Sequence, residues 1–262
     1  YMLREQAPEV TAEILIHALE DRYPQNQPLT LMLRDPKKMA DMIASQKAVD
    51  PNHPIPEITR WPAPEFRTAS PGKDVFAFHA GSRKGGNTAR ILDAVLEGAK
   101  EAGGLVEKRS FADLKISPCT GCLSCKEDKL ETRCVIQDDM PHLYPRFLEC
   151  DAFVFGFPVY SGRESAQAAI FIDRLKALTS PWRKPQFKAR RGAIVGTWGW
   201  PSPAIYSGLI SPLAMTLFSF GVEICEVIAG SGFWDAYYKK GSAALDPTGL
   251  EQARNAGKAL VL

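Results

Sequence analysis

Residues 152–157 read Ala-Phe-Val-Phe-Gly-Phe, six consecutive positions without a polar side chain. A strand with one solvated face alternates apolar and polar residues, so an unbroken run of this kind requires burial on both faces. Sheets covered on both faces are those whose parallel strands are joined by crossover helices. The chain supplies the other parts from Lys73 onward. Short apolar strands are predicted at 74–80, 104–111, 192–197 and 222–229. Between them lie segments of helical periodicity at 89–102, from Asp138 or Asp139 through Glu149, at 163–178 and at 204–220, with a terminal helix opening at Asp246-Pro247. Five strands alternating with helices predict a doubly wound α/β sheet of order 2-1-3-4-5.

In that order the loops after the first and third strands meet at the switch point, where a ligand binds. The first loop, residues 81–88, reads Gly-Ser-Arg-Lys-Gly-Gly-Asn-Thr and runs into a helix with Ile91, Leu92, Val95, Leu96 and Ala99 on one face. Free N–H groups and the positive helix end make such a loop an anion site. The helix end alone contributes only about 0.3–1 kcal/mol. The Ser82 and Thr88 hydroxyls, the Asn87 amide, the Arg83 guanidinium and the backbone around Gly86 are therefore the candidates for holding the anion. No Gly-Lys-Ser/Thr or Gly-x-Gly-x-x-Gly pattern is present, which favours a monophosphate over a triphosphate or dinucleotide. The second loop, Pro158, Val159, Tyr160, Ser161 and Gly162, offers a stiff backbone against which a flat ring can lie. Trp198 and Trp200 follow the fourth strand and reach the same edge. A phosphate tail joined to a planar ring describes FMN.

Cys119, Cys122, Cys125 and Cys134 fall within sixteen positions, inside a loop spanning 117–140. Thiols at i, i+3 and i+6 can curl around one small inorganic body, and a fourth closes the sphere. The pattern is like the cysteine nests of a 4Fe-4S cluster. Zinc is the main rival, although zinc sites usually pair two separated Cys-x2-Cys knuckles; unliganded thiols are the third reading. Cys150 and Cys225 stand apart and read as packing thiols.

A net charge of +2 with dispersed Lys and Arg excludes a polyelectrolyte partner such as nucleic acid. No apolar run approaches the roughly eighteen residues that a membrane span requires. Clustered rather than spaced cysteines suggest a reducing cytoplasm. Residues 1–72 carry ten of the twenty prolines and form an N-terminal arm distinct from the main domain at 73–262. Two short helices are expected there. One is built on Val10, Ile14, Leu15, Ala18 and Leu19; the other runs from Asp35-Pro36 to about Gln46. An extended strap follows over 50–72. The arm is read as packing on the main domain or on a second subunit, with a lid over the redox site as the other reading. His17, His53 and His79 are read as packing or surface residues, and Asp173 with Arg174 as a structural ion pair or an interface.

The order of phosphate loop, Pro118-Cys119-x-x-Cys122-x-x-Cys125, Asp138-Asp139-Met140, Pro158-Val159-Tyr160 and Phe171-Ile172-Asp173-Arg174 resembles the iron-sulfur flavoproteins of the NAD(P)H-dependent FMN reductase superfamily, over residues 73–262. The phosphate loop departs from the usual Gly-Ser-x-Arg in having no residue between Ser82 and Arg83. The resemblance implies a flavodoxin-like fold, FMN, a homodimer or homotetramer, and a 4Fe-4S cluster on Cys119, Cys122, Cys125 and Cys134. It further implies phosphate contacts from Ser82, Arg83, Asn87 and Thr88, with Pro158–Gly162 and Thr197–Gly199 around the ring. The expected activity is an oxidoreductase passing electrons from NAD(P)H or a ferredoxin-like donor to a small acceptor or a redox protein. Alternatives are a non-enzymatic electron carrier, a clusterless NAD(P)H:FMN or quinone reductase, and a zinc-stabilised binding module.

Overall fold

A computed structural model describes residues 57–61, 69–127, 134–179, 187–200, 205–232 and 242–262. The two helices expected within residues 10–46 lie outside the described residues. The parallel strands are β2 (Asp74–His79), β3 (Leu105–Ser110), β4 (Ala152–Tyr160), β6 (Arg190–Thr197) and β7 (Val222–Ser231), in the spatial order β3-β2-β4-β6-β7. Counted as the five strands of the doubly wound plan, this is 2-1-3-4-5. β4 lies at the centre, and its first six residues are buried, as the apolar run requires.

The two faces of the sheet differ in bulk. Phe76 and Phe78 of β2 and Phe153, Phe155 and Phe157 of β4 all point to one side. There they meet α2 (Met140–Glu149), α3 (Ala166–Leu175) and α4 (Ser207–Phe218). Phe171 of α3 stacks on Phe78 with ring centroids 3.9 Å apart, and Phe147 of α2 meets Phe153 edge to face at 4.9 Å. The alternate residues Val75, Ala77, Ala152 and Val154 face α1 (Asn87–Glu101) and α5 (Pro247–Val261). Small side chains on that face let the two helices lie close against the sheet and each other.

Three local expectations are revised. The strap contains a strand, β1 (Glu57–Trp61), which pairs antiparallel with β7, Ile58 opposite Gly230. It covers an edge that would otherwise present unpaired backbone groups. Arg60 grips the buried Glu226 through two bonds of 2.6 Å, and Ile58 N donates to Asp246 Oδ2 at 2.8 Å. Asp246 also caps α5, accepting from Gly249 N at 2.8 Å, as the Asp-Pro start implied.

The third strand does not stop at Phe157. β4 continues through Tyr160 and turns back into β5 (Arg163–Glu164) through Ser161 and Gly162, both at positive φ (50° and 78°). Two-residue hairpin turns favour that conformation. Arg163 and Glu164 are consequently strand rather than helix, and α3 starts later with Ser165 as its N-cap, whose hydroxyl accepts from Ala168 N. At α2, Asp139 holds the N-cap position but spends its carboxylate on Lys115 N, while Asp138 accepts from Met140 N at 3.0 Å. No helix among the described residues is long and apolar enough to cross a membrane.

Candidate functional site

The carboxyl ends of β2, β4 and β6 converge on a cleft of about 290 Å³. Its lining includes Arg83, Gly86, Asn87, Thr88, Pro158, Val159, Tyr160, Thr197, Trp198 and Gly199, together with His79 and Gly81. Ser82, Ser161 and Gly162 lie outside that lining. Ser82 is exposed and accepts from Gln167 at 2.8 Å, while Ser161 and Gly162 form the hairpin turn. One end of the cleft is the N-terminus of α1, whose first-turn N–H groups have no partner within the helix. That end is braced from two sides. Thr88 and Thr197 share a buried hydroxyl bond of 2.6 Å, tying α1 to the end of β6. The Asn87 side chain accepts from Ala243 N at 3.0 Å, tying the same turn to the segment before α5.

The opposite wall is Pro158–Tyr160, which gains stiffness from the β5 hairpin. Ser165 adds a strut: its hydroxyl donates to Ala80 O at 2.6 Å, joining the start of α3 to the residue after β2. Trp198 is buried, packs against Trp61 at 6.0 Å and meets Tyr206 edge to face at 5.4 Å. Its contact with the cleft is thus one side of a ring held by β1 and the turn before α4. Trp200 packs in the same cluster and is not part of the cleft lining.

His79 was not read from the sequence as a site residue. It ends β2 at the mouth of the loop, is 2% exposed, and its Nδ1 lies 3.3 Å from Ser110 Oγ on β3. The available signal was its place, the last strand residue before a glycine loop. Burial pushes its pKa down to about 4, with the Lys108 ammonium adding to the effect and Asp93 and Asp113 opposing it. The linkage is direct. The unfolded imidazole takes up a proton near pH 6.5, the folded one only near pH 4, so between these values the unfolded state binds more protons and stability falls as pH falls. Apoprotein will therefore lose up to about 3 kcal/mol from this group between pH 6.5 and 4. A His79→Gln variant will lack that share. Urea unfolding of both proteins across the range checks it; parallel pH profiles would refute it.

The four clustered cysteines line a second cavity of about 390 Å³ with Leu123, Lys126, Asp173, Arg174 and Lys176. Gly121 and Leu123 both hold positive φ (68° and 60°), curling the loop. For Leu123 this is an uncommon backbone state. Cys119 and Cys122 are exposed, Cys125 and Cys134 half-buried. Bonds from Ser124 and Thr120 hold the Cys122 thiol below its ordinary pKa, and burial pushes Cys125 up. Lys126 Nζ pins the loop to the end of α3 through the Lys176 and Thr179 carbonyls. Among the described residues no three His, Cys, Asp or Glu side chains converge on a single-ion site. The thiols share a cavity without meeting at a point.

Beneath this loop lies a buried ion pair. Arg174 is 1% exposed and meets Asp138 at 2.6 and 3.0 Å, not its neighbour Asp173. Its guanidinium also donates to Ser117 O at 2.7 Å and to Cys134 Sγ at 3.6 Å. Burial opposes both charges, but the mutual hydrogen bonds prevail, holding Arg174 protonated and the Asp138 carboxyl below its usual range. Cys150 and Cys225 are packing thiols, as expected; burial lifts Cys150 to about 11.

A parallel sheet of order 2-1-3-4-5 with a cleft at its switch point, closed at one end by a helix N-terminus, follows the flavodoxin-like plan. The chain belongs to the family described as NADPH-dependent FMN reductase, which matches residues 74–206, and it is an oxidoreductase of that family. It is 29% identical over 191 residues to an iron-sulfur flavoprotein of Methanocaldococcus jannaschii, covering 70% of this chain and 93% of that protein. An iron-sulfur flavoprotein of Archaeoglobus fulgidus is 33% identical over 130 residues, covering 50% of this chain and 53% of its own length. The fold is similar to that of an NAD(P)H:quinone oxidoreductase from Methanothermobacter marburgensis, with TM-score 0.52, 16% identity, and coverage of 72% and 97%. It is also similar to an FMN-dependent NADH-azoreductase from Bacillus anthracis in complex with FMN, with TM-score 0.51, 13% identity, and coverage of 73% and 100%.

Proposed function

We propose that this protein is an FMN-dependent oxidoreductase that also carries a 4Fe-4S cluster, working as a homodimer or homotetramer. It passes electrons between NAD(P)H or a ferredoxin-like donor and a small acceptor or redox protein. The observation that carries the reading is the pairing of two cavities in one domain, an anion cradle with a planar slot and a cavity lined by four thiols. The first fits FMN: Arg83 and the α1 N-terminus answer a phosphate, and Pro158–Tyr160 with Thr197–Gly199 bound a flat ring. The second fits a cluster by its donor set, because four thiols around one cavity suit a body wider than a single ion. Cys119, Cys122, Cys125 and Cys134 would hold it.

When bound, FMN exchanges one or two electrons and the cluster one, so the pair joins hydride donors to single-electron partners. The chain's own residues bind, orient and insulate. Thr88–Thr197 and Asn87–Ala243 hold the cradle fixed, so little ordering remains to be done on binding. The buried Trp198 dries one wall of the slot. Arg174 places a permanent positive charge and an N–H donor against Cys134 Sγ.

The test is an absorbance spectrum of anaerobically purified protein with flavin, iron, acid-labile sulfide and zinc measured on the same sample. One FMN with about four irons and four sulfides per chain is expected. Flavin without iron or sulfide after anaerobic reconstitution would reduce the protein to a plain flavin reductase. Zinc without flavin would overturn the proposal altogether.

A further inference from the structure

We propose that His79 is a ligand of the flavin phosphate, donating its Nε2–H, and that Ser110 positions it by holding the ring in the tautomer that carries that proton. The inference rests on the FMN reading above and adds two residues to it. His79 is the last residue of β2 and shares the cleft lining with Arg83, Gly86, Asn87 and Thr88, the anion-cradle end. Its register partner on β3 is Ser110, whose Oγ lies 3.3 Å from Nδ1. The other ring nitrogen has no hydrogen bond among the described residues. It lies over the start of the loop: a Cβ added to Gly81 would stand 2.6 Å from Nε2. Gly81 is therefore the residue that gives the ring room at the loop.

The chemistry follows from which nitrogen carries the proton. A hydroxyl donating to Nδ1 leaves the proton of a neutral imidazole on Nε2. The buried ring is neutral at pH 7, its pKa lying near 4. A neutral donor suits this position, since a buried cation would be costly to desolvate, and the exposed Arg83 already supplies charge at the cleft. An N–H donated to a phosphate oxygen is a charge-assisted bond, roughly twice as strong as a neutral one. Ser110 does not touch the ligand and acts only through the ring.

The experiment titrates apoprotein with FMN and with riboflavin, following flavin fluorescence. In His79→Phe, FMN binding is expected to weaken about 10- to 100-fold, with riboflavin binding unchanged. His79→Gln keeps an N–H donor and is expected to retain much of the FMN affinity, whereas Ser110→Ala weakens FMN alone by several-fold, at most about tenfold. Circular dichroism checks folding. If the Phe variant does not fold, the Ser110→Ala result decides, and a shift in FMN without a shift in riboflavin is required. Equal loss of both flavins, or FMN affinity within twofold of wild type, overturns the proposal. Nitrogen-15 spectra of FMN-loaded wild type give an independent reading: a proton on Nδ1 instead of Nε2 overturns it too. Wild type that binds neither flavin would sink the FMN reading itself, a different failure from selective tolerance of the variants.

Discussion

Replacing Arg174 with Met will lower the unfolding free energy by about 3–5 kcal/mol, because it strands the Asp138 carboxylate in the interior. The Asp138 side chain is 4% exposed and keeps only the Ser117 and Met140 amides, at 2.8 and 3.0 Å, once the guanidinium is gone. Asp138→Asn should also destabilise, leaving a buried cation held by the Ser117 carbonyl and a neutral amide oxygen. The double variant Arg174→Met with Asp138→Asn should recover much of the loss, since pairs of this kind cost desolvation that their attraction barely repays. Denaturant unfolding of the four proteins gives the coupling energy. An Arg174→Met variant within 1 kcal/mol of wild type would falsify the buried-pair account.

The sign with pH is also fixed. Asp138 is held below its ordinary pKa, so its contribution is complete at neutral pH and is lost as pH falls through the depressed value. The gap between wild type and Arg174→Met should therefore narrow toward acid. A second readout separates positioning from bulk stability. Arg174 reaches Cys134 Sγ, so loss of that bond should raise the alkylation rate of Cys134 in the reduced apoprotein under conditions where both proteins remain folded.

That pair also marks where sequence reading ran out. The strand alternation, the glycine loop and the cysteine spacing are local signals, each carried by residues close in sequence, and they are enough to place five strands on the doubly wound plan whose flavodoxin-like order the sheet adopts. Arg174 and Asp138 are 36 positions apart, and Arg174 stands beside Asp173, the more obvious partner by proximity. Nothing in a linear pattern favours the distant carboxylate. The same holds for β1, whose anchors Glu226 and Asp246 lie more than 160 residues away. The hairpin after β4 did have a signal, a Ser-Gly pair after an extended run, but Pro158 made the segment look like a loop. The bulk difference between sheet faces was also written in the sequence as phenylalanines at alternate positions. Its meaning depends on which helices cover which face.

Gly98 and Gly257 carry the second large effect. Both lie inside helices, where glycine costs about 1 kcal/mol relative to alanine, yet the replacement that helix propensity favours will be harmful here. A Cβ on Gly257 would stand 1.8 Å from Val95 O, and one on Gly98 1.9 Å from Arg254 O, well inside the 3.4 Å where ordinary contact begins. Backbone, not a movable side-chain tip, occupies the space, so α1 and α5 must separate. Gly257→Ala is expected to destabilise by about 1–3 kcal/mol or more, lowering the melting temperature by at least about 2 °C. The function reads the same displacement, because α1 carries Asn87 and Thr88 at its cleft end and Thr88 must stay 2.6 Å from Thr197. Flavin affinity should fall for FMN and riboflavin together, unlike the phosphate-selective loss expected at His79. Lys100→Ala, on the exposed face of α1, should remain within about 0.5 kcal/mol of wild type and bind both flavins normally. If Gly257→Ala melts and binds as wild type does, the close helix contact does not set the position of the anion cradle.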